Sequence, residues 1–511
     1  MENQKTKIIS IASIIALALT LVTATFAYFM AQTGEGKSTD IKINASTVDT
    51  LTFETGSAIS LNLNQGNFAS GAGNQTGTTF AKAMLTANNK TNTATEHYYL
   101  YLNISNNTFT YSIDNNTPEI LLSIKDSSNN EITTLTGLTY KTVTDGKGAS
   151  IKGFDITNKK GLVTILNNRE ITTTSTKTEE WNVTVTFVNY NSNQAGNAGK
   201  NFSAKLMIQK EEYKQTLVEY VKSQYTGTQG ENSLYYHNSS LTNGAGDNSY
   251  RYAGASESVN NFVCFGSDAA TCPTDNLYRI IGVIDGKVKL IKYDYATSIL
   301  LGTDGDYSGS DTPDTNYYKG SLSSIDTYYW NNVTKKNTWS ESNLNKINLN
   351  TNFINNIGVE WSNKIVTTTW KVGGNTWANV GTSVPKTSYQ NEIVAPAENT
   401  TYDAKIGLMY VTDYGFAASP SAWTTTLNNY DGNDAKGTSI KTINWMYMGY
   451  YDWMISRNSD GSSYAIIVTR GGRVSNSAVG IYRGVRPSFN LSSSITYVSG
   501  SGSAVDPILI N

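Results

Sequence analysis

Histidine and cysteine are almost missing from this chain: its 511 residues hold two of each. His97 and His237 stand in no motif that would set them beside a serine or cysteine nucleophile, so Ser–His or Cys–His acyl transfer has no support in the sequence. The same scarcity leaves no Cys/His set of the kind that binds zinc. It also excludes a fold held by a dense disulfide framework. None is needed, because a chain of this length holds two or three domains of about 100–200 residues, each able to bury its own core. Charge is scarce too. Asp, Glu, Lys and Arg make up 16% of the residues, against about 25% in ordinary soluble proteins. The formal net charge is −2, which offers nothing to nucleic acid or acidic lipid. The glycines fall at turns and build no phosphate loop.

What replaces the missing charge is Ser, Thr and Asn, a surface that suits extracellular β-proteins. The 33 Tyr and 9 Trp argue against disorder. The compartment is written in residues 1–30. Lys5 and Lys7 precede an uncharged apolar run from Ile8 to Met30, long enough for a spanning helix. It reads either as a cleaved signal peptide, with Thr25 and Ala27 at the small positions, or as an uncleaved anchor helix with its N-terminus inside. Both place the rest of the chain outside the cell, at the surface or secreted, with a membrane contact through the helix if it is uncleaved. In that setting Cys264 and Cys272 are expected to form a disulfide that pins one loop, the alternative being two reduced thiols.

Residues 38–209 read as an all-β sandwich domain. Strand-like runs recur at 41–43, 51–53, 98–104, 109–113, 120–124, 162–166, 181–188 and 202–208, separated by turn clusters. In the run from Trp181, residues Trp181, Val183, Val185 and Phe187 alternate with Asn182, Thr184, Thr186 and Val188, the period of a half-buried strand. Residues 210–248 read as a helical connector and linker: a helix over 211–225, then Gly/Asn/Ser-rich sequence over 227–247 where the domain boundary is expected. From 249 to 511 the texture changes, and eight of the nine Trp lie here. Asp285-Gly286 between two apolar runs signals a hairpin. Residues 340–358 read as a helix capped by Ser340.

Several segments carry a resemblance: YRYAG at 250–254, NFVCFG at 261–266, CPTDNLYRIIGV at 272–283, KLIKYDYAT at 289–297, IGLMYVTDYGFA at 406–417 and GVRPS at 484–488. Together, over roughly residues 215–511, they are similar to exported surface proteins of gut Firmicutes. The stretch from Trp453 through Gly484-Val485-Arg486-Pro487 also resembles the close of C-type-lectin-like domains of the formylglycine-generating-enzyme type, which include the variable proteins of diversity-generating retroelements. That resemblance implies an α+β domain whose terminal strands present ligand-binding residues. The oxidase chemistry of the superfamily needs active-site cysteines or copper, and the matching tail holds no cysteine, so no enzyme and no cofactor is implied. The leader, with ATFAYF at 24–29, resembles that of biofilm-fibre and camelysin-type proteins.

The tail itself reads as a display surface. A frame of Trp445, Trp453, Ala465, Ile467, Val468, Val474, Val479, Val485, Phe489 and Leu491 alternates with clusters of the residue types that binding loops use. The expected ligand-binding residues are Tyr447, Tyr450 and Tyr451, then Asn458, Ser459, Asp460, Ser462, Ser463 and Tyr464, then Arg470, Asn476, Tyr482 and Arg483. Arg486, held extended by Pro487, is expected to serve the domain interior, with anion capture as the alternative, and Trp445 and Trp453 the core, with sugar stacking as theirs. Asp304, Asp306, Asp311 and Asp314 match no EF-hand spacing and read as an acidic loop, so no metal is expected. The functional expectation is an exported, adhesin-like surface protein that binds a protein or glycan of a host or neighbouring cell through a lectin-like domain. A structural subunit of an extracellular fibre or pilus is the alternative, and an extracellular hydrolase with two carboxylates ranks below both.

Overall fold

The computed structural model describes residues 48–68, 71–88, 92–269, 271–312, 324–431 and 440–511. The expected N-terminal helix and the run at 41–43 lie outside these residues. No helix among the described residues is long and apolar enough to cross a membrane. The chain is rich in antiparallel sheet and divides into two compact units between Tyr213 and Lys214.

In the first unit a six-stranded sheet runs in the order Thr50–Thr55, Gln75–Thr86, Thr176–Phe187, Ile120–Asp126, Ser150–Asp155 and Tyr140–Thr144. A four-stranded sheet has the order Ile59–Asn62, Asn201–Gln209, Ala94–Asn107 and Gly161–Thr173. The two share one core, in which Ile124, Val183, Val185 and Phe187 of the first sheet meet Leu100, Leu102, Ile104 and Phe202 of the second. The alternation starting at Trp181 is therefore the inward face of a strand, and the Trp181 indole N–H donates to the Tyr98 hydroxyl at 2.8 Å. The expected strand over 109–113 is not formed. Side chains claim its backbone instead: Asn197 accepts from the Thr110 amide at 3.1 Å and the buried Glu119 from the Ser112 amide at 2.5 Å.

The second unit begins earlier than the sequence suggests. Helix Leu217–Ser223 is capped reciprocally, Thr216 Oγ1 accepting from the Glu219 amide at 3.1 Å and Glu219 Oε2 from the Thr216 amide at 2.9 Å. Its Leu217 and Val221 are buried in this unit's core. The segment 227–247, expected as a linker, is part of the unit as well. Strand Leu234–Tyr236 pairs with Tyr250–Tyr252, and His237 and Ala245 are buried. The central sheet continues through Leu277–Ile284, Lys287–Lys292, Ser488–Asn490 and Ile406–Gly407, with Phe262–Cys264 also on Leu277–Ile284. Cys264 and Cys272 are bonded to each other just beyond that strand. The Asp285-Gly286 turn has φ of 50° and 71°, the doubly left-handed geometry that this dipeptide favours.

The helix expected over 340–358 is divided. A short 3-10 turn at Trp339–Glu341 leads into a wide, π-type helix at Leu344–Phe353 and an α-helical turn at Ile354–Asn356. Ser342, rather than Ser340, accepts the first-turn amide, that of Asn345, at 3.2 Å. All ten apolar frame residues of the tail are buried. They hold a three-stranded antiparallel sheet, Asp452–Arg457, Tyr464–Val468 and Val474–Ala478. A smaller sheet brings Tyr482–Arg483 onto Ile325–Tyr329, which also pairs with Tyr307–Asp311.

Candidate functional site

Two places on the second unit carry concentrated polar chemistry. The first is the rim of the three-stranded sheet, where the sequence puts the binding residues. The turn over 458–463 is held from below by one side chain: Asn337 Nδ2 donates to the carbonyls of Asn458, Gly461 and Tyr464 at 2.8, 2.6 and 2.8 Å. Asp460 accepts from the Trp377 amide at 3.0 Å. Neither Asn337 nor Trp377 carries a local sequence signal of this role, since the first acts across 121 to 127 residues of chain and the second across 83. On that support Ser462 is exposed and Ser459 and Ser463 are half-buried, while Tyr464 is 43% and Tyr482 42% exposed beside Ile481. Asn476 is half-buried in its strand opposite Ile466.

Three of the expected contact residues are not on the surface. Tyr447, Tyr450 and Asn458 are buried. Their polar ends are already used: the Tyr447 hydroxyl donates to the Arg470 carbonyl, the Tyr450 hydroxyl to the Asp311 carboxylate, and Asn458 Oδ1 accepts from the Asp460 amide at 3.0 Å. Burial, and then that contact with Asp311, push the Tyr450 phenol well above its ordinary range.

Tyr451, half-buried, is where the arginines meet. The Arg483 guanidinium lies 4.3 Å from the centre of its ring and that of Arg470 5.4 Å from the same centre, with Arg470 also 5.0 Å from the Tyr450 ring. Arg483 donates to the Tyr482 carbonyl at 3.0 Å and to Ser477 Oγ at 3.2 Å. Among the described residues neither arginine has an ion-pair partner, and the Nε of each is buried without a hydrogen bond. Burial pushes the Arg483 guanidinium below its ordinary value, and Arg470 adds to that push against the pull of the tyrosines.

Beneath this rim Arg486 is buried, donating from Nε to Asp452 Oδ2 at 2.5 Å and from its amino nitrogen to the Met446 carbonyl at 2.8 Å. Trp445 and Trp453 are buried too, with their indole N–H groups on the carbonyls of Tyr252 and Tyr328, both at 2.8 Å. Burial raises the Asp452 carboxyl to about 6, and Arg486 only partly opposes this. Its other oxygen, Oδ1, is buried and has no hydrogen-bond partner among the described residues. In the unfolded chain the carboxyl sheds its proton near pH 3.8. From about pH 4 to about pH 6 the native state therefore holds a proton that the unfolded state has lost, and this group's contribution to stability falls as pH rises through that window. His237 works in the opposite sense. Burial lowers it to about 3, so its contribution is lost as pH falls below its ordinary 6.5. The two separate by difference: the stability of the natural protein relative to Asp452→Asn is expected to be greater at pH 4.5 than at pH 7, measured by urea unfolding at both.

The second place was not legible in the sequence. A cleft of about 370 Å³ opens between the hairpin around Asp285 and the segment 367–371, with Trp370, Tyr389 and Tyr410 in its walls. Its floor is a charge chain: Asp247 to Arg251 at 2.7 Å, Arg251 to Asp413 at 3.6 Å, and Asp413 to Lys289 at 2.5 Å. Arg251, Lys289 and Asp413 are buried. The Lys289 ammonium lies 4.4 Å from the Tyr410 ring centre and 5.3 Å from that of Trp370, and burial lowers its pKa against the pull of Asp413. Two carboxylates balance two cations, so the floor is neutral and satisfied from within. The sequence shows no more than charges set among apolar residues, Lys289 in KVKLIKY and Asp413 in MYVTDYGF, with nothing local that pairs them.

The expected acidic loop is tied up as well: Asp306 is buried and accepts from the Asn332 amide at 3.3 Å, Asp304 accepts from Asn352 at 2.7 Å, and Asp311 meets Tyr450. Asp314 lies outside the described residues. No group of three or more His, Cys, Asp or Glu among the described residues is arranged to hold a metal ion. No protein-family model matches this chain, and neither a curated protein nor a solved structure is similar to it.

Proposed function

We propose that this chain is an exported cell-surface protein whose second unit is a ligand-binding head of the C-type-lectin-like kind. It binds a protein or glycan of a host or neighbouring cell, performs no catalysis and uses no cofactor. The observation that carries this reading is the contrast along one strand. Ala465, Ile466, Ile467 and Val468 are all at least 97% buried, while Tyr464 at the head of the same strand and Tyr482 nearby each leave more than two-fifths of their surface in water. A rigid sheet that ends in large, stiff, half-polar side chains presents contact area at little entropic cost. Asp460, Ser462, Ser463 and Arg483 add hydrogen-bonding groups around it, and the leader of residues 1–30 supports the placement outside the cell.

Interface energy concentrates in a few Tyr, Trp and Arg anchors. Tyr464→Ala and Tyr482→Ala are each expected to weaken binding by about 1–3 kcal/mol, and to change folding stability by less than about 0.5 kcal/mol. Full-length protein probed on glycan and host-protein arrays, natural beside variant, checks this. A ligand held equally by both variants removes the site from this rim. Protease added to intact cells is expected to reach the chain beyond Ser38, and a fully protected chain would contradict export.

A further inference from the structure

We infer that Arg470 and Arg483, set against Tyr451, form an anion subsite on this rim that takes the carboxylate of an acidic sugar. The inference rests on the rim being the recognition surface and names the chemistry it recognises. Two guanidiniums that lie 5.4 and 4.3 Å from the centre of one ring repel, and the Nε of each is out of water. Proteins settle such pairs with a carboxylate. Here, among the described residues, none lies within ion-pair distance of either arginine. Asp311, which accepts from the Tyr450 hydroxyl, is joined to the cluster, and one carboxylate against two guanidiniums leaves the group a net positive charge. Each Nε is a dry donor without an acceptor. Arginine's planar fork matches a carboxylate in a two-bond geometry that a point charge does not offer.

The surroundings favour a compact sugar over an acidic peptide. A peptide held by strand addition would need a run of open sheet edge beside the arginines. The strand that carries Arg483 offers only a short one: Tyr482 and Arg483 pair with Tyr329 and Tyr328 on one side, and its free side is two residues long before Gly484 bridges to Asp452 and its carbonyl receives the Trp453 amide at 3.1 Å. What stands open beside Arg483 is the ring of Tyr482, a flat apolar face of the size a sugar ring covers.

The test is binding of the full-length protein to an oligosaccharide that ends in a carboxylated sugar, to the same oligosaccharide with that carboxyl reduced to an alcohol, and to oligoglutamate. The expected result is at least a tenfold preference for the acid over its reduced form. Arg470→Gln and Arg483→Gln should each remove most of that preference, while Arg473→Gln, an exposed neighbour, changes it less than threefold. Arg483→Lys, which keeps the charge and loses the fork, is expected to fall between. If a Gln variant does not fold, competition on the natural protein by the free acidic monosaccharide against its reduced form reads the same quantity. Equal binding of the two oligosaccharides overturns the inference. So does arginine-dependent binding of oligoglutamate in preference to the sugar, which assigns the pair to acidic peptides. If ligands are bound through Tyr464 and Tyr482 with no dependence on the carboxyl, only this subsite fails. If neither the tyrosines nor the arginines matter to any bound ligand, the rim itself is not the recognition surface.

Discussion

Asp413→Ala is expected to cost the second unit about 3–5 kcal/mol, the usual effect of breaking a buried ion pair from one side. The carboxylate sits between Lys289 at 2.5 Å and Arg251 at 3.6 Å, and all three side chains are buried. Removing it leaves Lys289 buried with no carboxylate within ion-pair distance among the described residues, and Arg251 with Asp247 alone. It also frees the Tyr410 amide, which Asp413 Oδ2 accepts at 2.8 Å. Urea unfolding followed by tryptophan fluorescence reports this directly, because eight of the nine Trp belong to this unit. The control is the double change Asp413→Leu with Lys289→Met. If the loss comes from an uncompensated charge and not from lost volume, the double variant recovers a large part of it. A single variant within about 1 kcal/mol of the natural protein would show that water reaches these charges through the cleft.

Trp453→Ala is the second large effect, about 3–5 kcal/mol for a buried aromatic. The side chain is fully buried, and its N–H holds the Tyr328 carbonyl at 2.8 Å, tying the three-stranded sheet to the strand that carries Tyr328. The cavity and the orphaned carbonyl act together. The same assay on Tyr464→Ala, eleven residues along the chain, is expected to show almost no change, since that ring already faces water. A small effect at Trp453 would mean that the frame is looser than its burial implies.

The frame was legible because burial writes itself into period. Trp453, Ala465, Ile467, Val474 and Phe489 are apolar in the sequence and all lie inside, and the Asp285-Gly286 turn follows from the φ values its two residues tolerate. The placing of the expected contact residues was harder. Tyrosine serves core and surface equally well, and what decides is whether a partner claims its hydroxyl. For Tyr450 that partner is Asp311, 139 residues away, which no local pattern reports. The cleft has the same difficulty, as its Lys289–Asp413 pair spans 124 residues. The unit boundary failed for another reason. The Gly/Asn/Ser-rich stretch 227–247 has the composition of a loose linker, yet Asn232, Ser233 and Asn243 adopt left-handed backbone and turn the chain tightly onto the sheet. Composition cannot tell a sequence that is free to turn from one that is made to.

The two ends of the second unit meet. The amide of Leu217 donates to the Ile495 carbonyl and that of Tyr497 to the Gln215 carbonyl, both at 2.8 Å, while Thr496 and Asn511 exchange backbone hydrogen bonds and Tyr220 stacks on Tyr497 at 3.9 Å. A body whose entry and exit lie side by side is joined to anything else through one seam. It can be spliced into a loop of an unrelated carrier, or have its ends linked and be reopened elsewhere, without its core being cut. The second unit is thus a piece that can be mounted whole on a scaffold of choice.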